Sequence, residues 1–143
     1  GADLVIDRSE KNIVETLSKA TDRLGINRIV DVNLKANLDI NMACLAQGGV
    51  ISSYATSSAT EELSIPLLQA MVHGCVFRFV YIYNVPAEAK RLAIADITAC
   101  LHTGQYLPQI AINLRLDQIA EAHALLESGK AMGKVLVHTG SSR

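Results

Sequence analysis

Apolar residues are arranged in two ways along this chain, as short continuous runs typical of buried strands and as stripes with helical spacing. The central stretch shows both arrangements. Residues 29–32 form a short β-branched apolar run, which is typical of a strand covered on both faces. Asn37 is a suitable N-cap for a helix. Apolar residues then recur along one stripe of that helix at Leu38, Met42, Leu45 and Ala46. Gly48-Gly49 is expected to end the helix before a second strand begins at Val50, so the stretch predicts one βαβ unit.

The alternation of strands and helices extends over the whole chain. The other predicted elements are a strand at 4–7, a helix capped by Ser9, a helix over 61–73, a strand over 75–83, a helix over 86–103, a strand at 110–114, a helix over 117–128 and a strand at 134–138. This order predicts an α/β fold with a mainly parallel sheet. Ligands of such sheets bind beyond the carboxyl ends of the strands, so the segments after Asp31 and Ser53 are expected to border a crevice.

Composition narrows the class of protein. The chain has 143 residues, half of them hydrophobic, and a net charge of −1, so one domain with an ample core is expected. Near-neutral charge argues against nucleic acid as a partner, and no apolar run is long enough to span a bilayer. The three cysteines lie in apolar segments and are expected to be buried free thiols of a cytoplasmic protein. The opening Gly1-Ala2-Asp3 lacks an initiator Met, which suggests a piece of a longer protein.

No sequence motif supplies a catalytic group. The chain contains neither a G-x-G-x-x-G nor a Walker loop nor a G-x-S-x-G elbow, and its four histidines stand singly, without the spacing of a zinc site. Residues 52–60 are predicted to be a flexible polar loop rather than to hold a nucleophile. Arg8 follows a predicted strand and is either a solvated surface residue or a guanidinium that holds a phosphate. Lys35, after the central strand, has the same two interpretations.

Five stretches together carry a resemblance to a known family. They are GADLVID at 1–7, GINRIVDVNLKANL at 25–38, LAQGGVI at 45–51, LRLDQIAEAHALLESG at 114–129 and GKVLV at 133–137. Their order and spacing resemble those of the medium-chain dehydrogenase/reductase superfamily, and within it the quinone oxidoreductases similar to ζ-crystallin. No single stretch is diagnostic, whereas the ordered set is specific.

The resemblance implies a domain organisation. Residues 1–104 would be the second half of an NADP-binding Rossmann domain, with its parallel sheet and flanking helices. Residues 105–143 would be the segment that returns to a GroES-like catalytic domain. The glycine-rich first half of the Rossmann domain would precede this chain. The strand at 4–7 would then have lost the two strands that separate it from the strand at 29–32.

The resemblance also implies a cofactor site for NADPH. Arg8 falls where the family places a Tyr, His or Arg against the adenosine end, and Lys35 stands where relatives have a small residue or Asn. The segment along the nicotinamide ribose would consist of Tyr54, Ala55, Thr56 and Ser57. The main chain that contacts the nicotinamide carboxamide would belong to Phe79, Val80 and Tyr81. Tyr54-Ala55-Thr56 replaces the usual Val-Gly-Ser, which would narrow the nicotinamide pocket.

The implied activity is hydride transfer from NADPH to a quinone or another activated alkene, a small-molecule substrate. No catalytic side chain and no metal are expected, because the cofactor supplies the reactivity and the zinc-free branch is the one resembled. The alternatives are an enoyl-thioester reductase of the same superfamily and a non-catalytic dimerisation module. Relatives pair their last strand with its two-fold mate, which implies a homodimer through Val76–Tyr83. Without the pyrophosphate-binding turn, the chain alone is expected to bind NADPH no better than about millimolar and to be inactive.

Overall fold

The computed structural model describes residues 2–140. The chain divides into two compact units, Gly1–Val85 and Pro86–Arg143, and each is described by itself. The first unit contains α1 (Ile13–Ala20), β1 (Ile26–Asp31), α2 (Leu34–Cys44), β2 (Leu45–Ser53), α3 (Leu67–His73), β3 (Val76–Phe79) and a 3-10 turn (Ile82–Asn84). The second unit contains α4 (Ala87–His102), β4 (Ile110–Arg115), a 3-10 turn (Leu116–Gln118), α5 (Ile119–Glu127) and β5 (Lys134–His138).

The strands of the first unit form a parallel sheet in the order β1-β2-β3. Ile51 lies at its centre, opposite Ile29 of β1 and Phe77 of β3. Helices α2 and α3 make the crossovers between these strands, so the prediction of an α/β fold with a Rossmann-type parallel sheet is confirmed. In the second unit β4 and β5 pair in parallel as a two-stranded sheet, with α5 as their connection.

The core of the first unit lies between α2 and the sheet. One stripe of α2 and the central strand supply its fully or nearly fully buried residues, which are Leu34, Leu38, Met42, Leu45 and Ile51. Met42 and Ile51 have no exposed surface. The predicted apolar stripe is confirmed for Leu38 and Met42, whereas Leu45 and Ala46, which were predicted to belong to the same helix, are buried residues of β2.

Helix α2 begins and ends earlier than the sequence predicted. It starts at Leu34 with Asn33 as its N-cap residue, so Asn37 lies inside the helix. The cause is Asp31, whose carboxylate accepts the N–H of Asn33 and fixes the first turn directly after β1. The helix ends at Cys44, not at Gly48, because Leu45 is already extended with φ −72° and ψ 133°. Gly48, with φ +68°, instead sits in an irregular stretch of β2, where three extra residues lie between the pairs Ile26–Leu45 and Arg28–Val50.

Other predictions for the first unit are also wrong, and the first sheet strand was predicted at 29–32 whereas β1 spans Ile26–Asp31. Residues 4–7 form no strand, since β1 pairs only with β2 within the part of the chain that is described. Helix α1 begins at Ile13, because Ser9 instead donates its N–H and hydroxyl to the Asp7 carboxylate. Helix α3 begins only after Pro66, and its end at Gly74, with φ +56°, is confirmed. β3 ends at Phe79, because the chain then turns into the 3-10 segment Ile82–Asn84.

The elements of the second unit follow their predicted order closely. Helix α4 begins after Pro86, and Gly104, with φ +70°, follows its end. Its predicted apolar stripe is exposed, however, with Ile94, Ile97 and Leu101 at 65%, 53% and 44%. In the sequence, the first compact unit ends at Val85 and the second begins at Pro86. The resemblance instead implies a domain boundary after Gly104, and that domain assignment stays a prediction.

Candidate functional site

A pocket lies at the carboxyl ends of the three parallel strands, inside the first unit. Its volume is about 170 Å³. The residues that line it come from α2, from the ends of β2 and β3 and from the loop after β2: Leu34, Lys35, Ser53, Ala55, Thr56, Glu61, Leu63 and Phe79. This is the crevice that the sequence predicted after Asp31 and Ser53, so that prediction is confirmed.

Asp31 organises the start of α2, which contributes Leu34 and Lys35 to this pocket. The carboxylate is buried, and it accepts hydrogen bonds from the Asn33 N–H at 2.6 Å and from the Asn37 side-chain amide at 3.2 Å. A third donor is the side-chain amide of buried Asn41. Donors thus surround a charge that would otherwise be costly to bury. Because these bonds fix the first turns of α2, they also fix Leu34 and Lys35 at the pocket wall.

Main-chain hydrogen bonds keep the carboxyl ends of the three strands in register with one another. The Tyr54 N–H donates to the Asp31 carbonyl at 3.4 Å, and the Val80 N–H donates to the Ser53 carbonyl at 2.8 Å. These bonds continue the parallel ladder one residue past the strand ends. As a result Ala55 and Phe79, which come next to these positions, reach the same pocket.

The loop after β2 is folded around the carboxylate of Glu61. Its oxygens accept the Ser57 hydroxyl at 2.6 Å, the Thr56 hydroxyl at 2.8 Å and the Ser57 N–H at 3.1 Å. The hydrogen bond from the Ser57 hydroxyl, followed by those from the Thr56 hydroxyl and the Ser57 N–H, lowers the pKa of Glu61, and the nearby Lys35 charge adds to this. Glu61 is therefore ionised at neutral pH.

The structure brings part of the predicted cofactor set together. Four members line the pocket, namely Lys35, Ala55, Thr56 and Phe79. Ser57 joins them through Glu61. Tyr54 and Tyr81 are 55% and 64% exposed and do not line it, and Val80 takes part in the sheet through its main chain. Arg8 is exposed on the segment before α1 and does not line this pocket either.

Sequence reasoning missed half of the lining residues. Glu61 was assigned to the start of α3, and the other missed residues are Leu34, Ser53 and Leu63. The signal for Glu61 was an acidic pair, Glu61-Glu62, directly after a run of Ser, Ala and Thr, which is the composition of a loop closed by side-chain hydrogen bonds. Leu34 was missed because the start of α2 was placed four residues too late.

Other candidate chemistry is sparse in the part of the chain that is described. No three His, Cys, Asp or Glu side chains from residues 2–140 lie close enough together to hold a metal ion. All three cysteines are free thiols, although only Cys44 is fully buried, and burial raises its pKa. None of the helices within residues 2–140 is long and apolar enough to cross a membrane.

Comparison with curated proteins finds relatives of greater length. Quinone oxidoreductase from Sus scrofa is 25% identical over 138 residues, which are 96% of this chain and 41% of that protein. Quinone oxidoreductase from Pongo abelii is 23% identical over the same shares of the two chains. The chain thus spans about two fifths of the length of these relatives.

Solved structures show the same fold. 2-Haloacrylate reductase matches 99% of this chain and 45% of its own with a TM-score of 0.84 at 15% identity. CurA from Vibrio vulnificus, solved in complex with NADPH, matches 98% of this chain and 44% of its own with a TM-score of 0.71 at 23% identity. A putative alcohol dehydrogenase from Sinorhizobium meliloti matches 97% of this chain and 38% of its own with a TM-score of 0.78 at 24% identity.

A family model described as zinc-binding dehydrogenase matches residues 1–137. It covers nearly the whole chain, and the resemblance seen in the sequence is thereby confirmed. The Rossmann-type parallel sheet of this chain agrees with the fold of the solved structure of 2-haloacrylate reductase. The chain belongs to the zinc-binding dehydrogenase family of the medium-chain dehydrogenase/reductase superfamily.

Proposed function

We propose that this chain forms the nicotinamide side of the cofactor site in an oxidoreductase that transfers hydride from NADPH to a quinone or another activated alkene. The observation that carries the proposal is the pocket in which Lys35, Thr56 and Phe79 converge at the carboxyl ends of the strands. Family membership supports an oxidoreductase, and the quinone oxidoreductases among the relatives support the substrate class. The NADPH complex of CurA is compatible with the choice of cofactor.

The size of the pocket favours one end of the cofactor over the whole molecule. Its volume of about 170 Å³ is below the range of roughly 300–1,000 Å³ that is usual for complete ligand sites. A single aromatic ring with one small polar substituent fits such a space, whereas a dinucleotide does not. The nicotinamide ring is the part of NADPH with this description.

The chain's own residues would orient and shield that ring. Phe79 offers an apolar face, and Leu34 and Leu63 lie on other parts of the wall, where they exclude water. Thr56 and Lys35 offer polar groups within the same pocket. The hydride itself is supplied by the cofactor when bound, so the protein needs to hold the ring and provides no nucleophile.

The chain lacks a glycine-rich turn that would hold the cofactor's pyrophosphate. We therefore expect weak binding by this chain alone, with a dissociation constant no lower than about 1 mM, or roughly −4 kcal/mol. Calorimetry that measured micromolar binding would contradict this expectation.

Saturation-transfer NMR tests the proposal at such affinities. The protein is saturated in the presence of excess NADPH, and the nicotinamide protons are expected to gain more saturation than the adenine protons. Phe79→Ala should reduce that gain, because Phe79 lines the pocket. Leu68→Ala is the matched control, since Leu68 is 75% exposed on α3 and lines a different surface. Stronger saturation of adenine, or none at millimolar NADPH, would refute the proposal.

A further inference from the structure

A second pocket lies at the opposite edge of the same sheet, and the proposed function gives it no role. This amino-edge pocket has a volume of about 230 Å³, and its lining includes Ser18, Arg23, Gly25, Cys44, Leu45 and His73. Gly25 directly precedes β1, Leu45 begins β2, and His73 ends the helix before β3. Because the six residues of β1 span about 20 Å, this pocket is separate from the one at the carboxyl edge.

The turn after α1 places Arg23 at the amino-edge pocket. The Arg23 N–H donates to the Ser18 carbonyl at 2.7 Å, and the Gly25 N–H donates to the Thr21 hydroxyl at 3.2 Å. Gly25 packs so closely on the end of α2 that a Cβ on it would lie 2.9 Å from the Cys44 carbonyl oxygen. The turn is thus fixed against α1 on one side and against the end of α2 on the other.

The Arg23 side chain is not needed to cap α1. Main-chain N–H groups already reach carbonyls of its last turns, since Thr21 donates to Leu17 at 3.0 Å and Arg23 to Ser18. Among residues 2–140, neither the Arg23 guanidinium nor the His73 imidazole nor the Ser18 hydroxyl takes part in a hydrogen bond or an ion pair. Three polar side chains of this lining therefore have donors that no protein group uses.

Arg23 has a backbone conformation that an arginine adopts only with strain. Its φ is +65° and that of Asp22 is +50°, both in the left-handed region. A glycine adopts this region without such strain. What the arginine adds at this position is a permanent positive charge and a planar set of N–H donors.

The charges around the amino-edge pocket favour an anion. Arg23 and His73 belong to its lining, and no Asp or Glu of residues 2–140 does. A groove of about 470 Å³ along α1 adjoins it, since Ser18 and Arg23 line both. The charged residues of that groove are Lys11, Glu15, Lys19 and Arg23, of which Glu15 and Lys19 pair at 2.7 Å. Positive charge thus predominates here, although the whole chain has a net charge of −1.

We propose that the amino-edge pocket binds a phosphate group, either as free phosphate or at the end of a small monoester. The guanidinium of Arg23 matches two phosphate oxygens, and the Ser18 hydroxyl and one ring N–H of His73 supply further donors. The volume is below the roughly 300–1,000 Å³ of complete ligand sites, which favours a small ester over a nucleotide. The inference does not rest on the proposed function, because the two pockets share no lining residue.

Titration of the ¹⁵N-labelled chain with inorganic phosphate tests the site, with sodium chloride holding the ionic strength constant. Two or three charge-assisted hydrogen bonds predict a dissociation constant of about 1 mM. The amides of Ser18, Arg23, Gly25 and Cys44 should shift, because these residues line the pocket. No shift at ten times the expected dissociation constant, or the same shifts with chloride alone, would overturn the proposal.

Glycerol 3-phosphate in a parallel titration distinguishes the two sources of the phosphate group. Tighter binding of this ester than of inorganic phosphate, with shifts of the same amides, identifies a small monoester as the ligand. Equal or weaker binding of the ester identifies free phosphate. Either result supports the site, whereas shifts confined to residues outside the lining would contradict it.

Substitution of Arg23 tests the group that carries the charge. Arg23→Gln removes the guanidinium and should weaken phosphate binding about tenfold. Arg78→Gln is the matched control, because Arg78 is exposed on β3 and lines neither pocket, and it should leave the affinity unchanged. Wild-type affinity in the Arg23→Gln chain would overturn the proposal.

A glycine at the same position separates ligand binding from support of the fold. Arg23→Gly relieves the strain at φ +65°, so the urea midpoint should not fall below that of the wild type. Its phosphate affinity should fall as in Arg23→Gln. A lower midpoint with unchanged affinity would show that Arg23 supports the fold alone, and would overturn the proposal.

Discussion

The two units of this chain differ in how much of their apolar surface they bury. The first unit has a cluster of five buried residues between α2 and the sheet. In the second unit, Leu114 and Ala122 are the buried apolar residues among those described, and the apolar stripe of α4 is exposed. The pocket lies in the unit that has the core. Rigid packing and the candidate site thus coincide, which is what a pocket of fixed shape requires.

The chain as a whole exposes more surface than compact bodies of its size would. The chain exposes 11478 Å², whereas two separate compact bodies of the units' sizes would expose about 8,600 Å². About a quarter of the surface is thus in excess of what compact bodies need. We expect the chain to depend on further contacts, and the first unit, which has the buried cluster, to be the more stable of the two.

Truncation of core residues tests the contrast most severely. Met42→Ala removes a side chain with no exposed surface and should lower the free energy of unfolding of the first unit by about 2–5 kcal/mol. Ile97→Ala in α4, where the side chain is 53% exposed, should change stability by less than about 0.5 kcal/mol. Hydrogen exchange at the amides of each unit measures both effects. Equal losses from the two substitutions would contradict the contrast.

Removal of the buried carboxylate tests how the first unit supports its pocket. Asp31→Ala leaves the Asn33 N–H and the Asn37 and Asn41 amides without their acceptor and should cost about 2–3 kcal/mol in urea unfolding. Asp39→Ala on the exposed face of α2 is the control, and it should cost under about 0.5 kcal/mol. An Asp31→Ala chain as stable as the control would show that these bonds do not fix α2.

The exposed edge of β3 predicts that the first unit associates with a second copy of itself. β3 pairs only with β2 within the described residues, and Val76, Phe79 and Tyr81 are 44%, 68% and 64% exposed. An open apolar edge of this kind favours strand pairing, so we predict a two-fold dimer through Val76–Tyr83. Sedimentation should show it at high micromolar concentration, and Val76→Lys should weaken it. A wild-type monomer under these conditions would contradict the prediction.

The smallest expected effect is a difference in how the two units respond to the titration of one carboxylate in each. The Ser57 and Thr56 hydroxyl groups lower the pKa of Glu61, and Arg91 lowers that of Glu88 on the surface of α4. The stabilisation by each is present above the pKa of the unfolded chain and is lost as the pH falls through the lowered pKa. NMR titration should show the Ser57 amide following Glu61 below the ordinary glutamate value, while the α4 amides move little. A Ser57 amide that does not respond would contradict the bond to Glu61.

Much of the fold followed from periodicity, because burial repeats along a helix and a strand. The stripe of α2, the parallel order of the strands and the elements of the second unit were predictable for that reason. The start of α2 was not, since it depends on Asp31 accepting an N–H two residues away. The strand at 4–7 failed because a strand needs a partner, and no local pattern shows whether one is present.

The site was predictable in position but incomplete in its residues. Lys35, Ala55, Thr56 and Phe79 follow strand ends, and the sheet topology brings strand ends together. Glu61 has no such periodic signature, because its role depends on how an irregular loop closes on Thr56 and Ser57. Arg8 was assigned by resemblance alone, and its role stays a prediction.

The central claim is that the pocket at the carboxyl edge of the sheet holds the nicotinamide end of the cofactor. The most direct measurement titrates the ¹⁵N-labelled chain separately with reduced nicotinamide mononucleotide and with adenosine 2′-monophosphate. The account predicts that the first ligand shifts the amides of Lys35, Ala55, Thr56 and Phe79, which line the pocket, while the second leaves them in place. Shifts of these amides by the adenosine ligand alone, or by neither ligand at millimolar concentration, would contradict it.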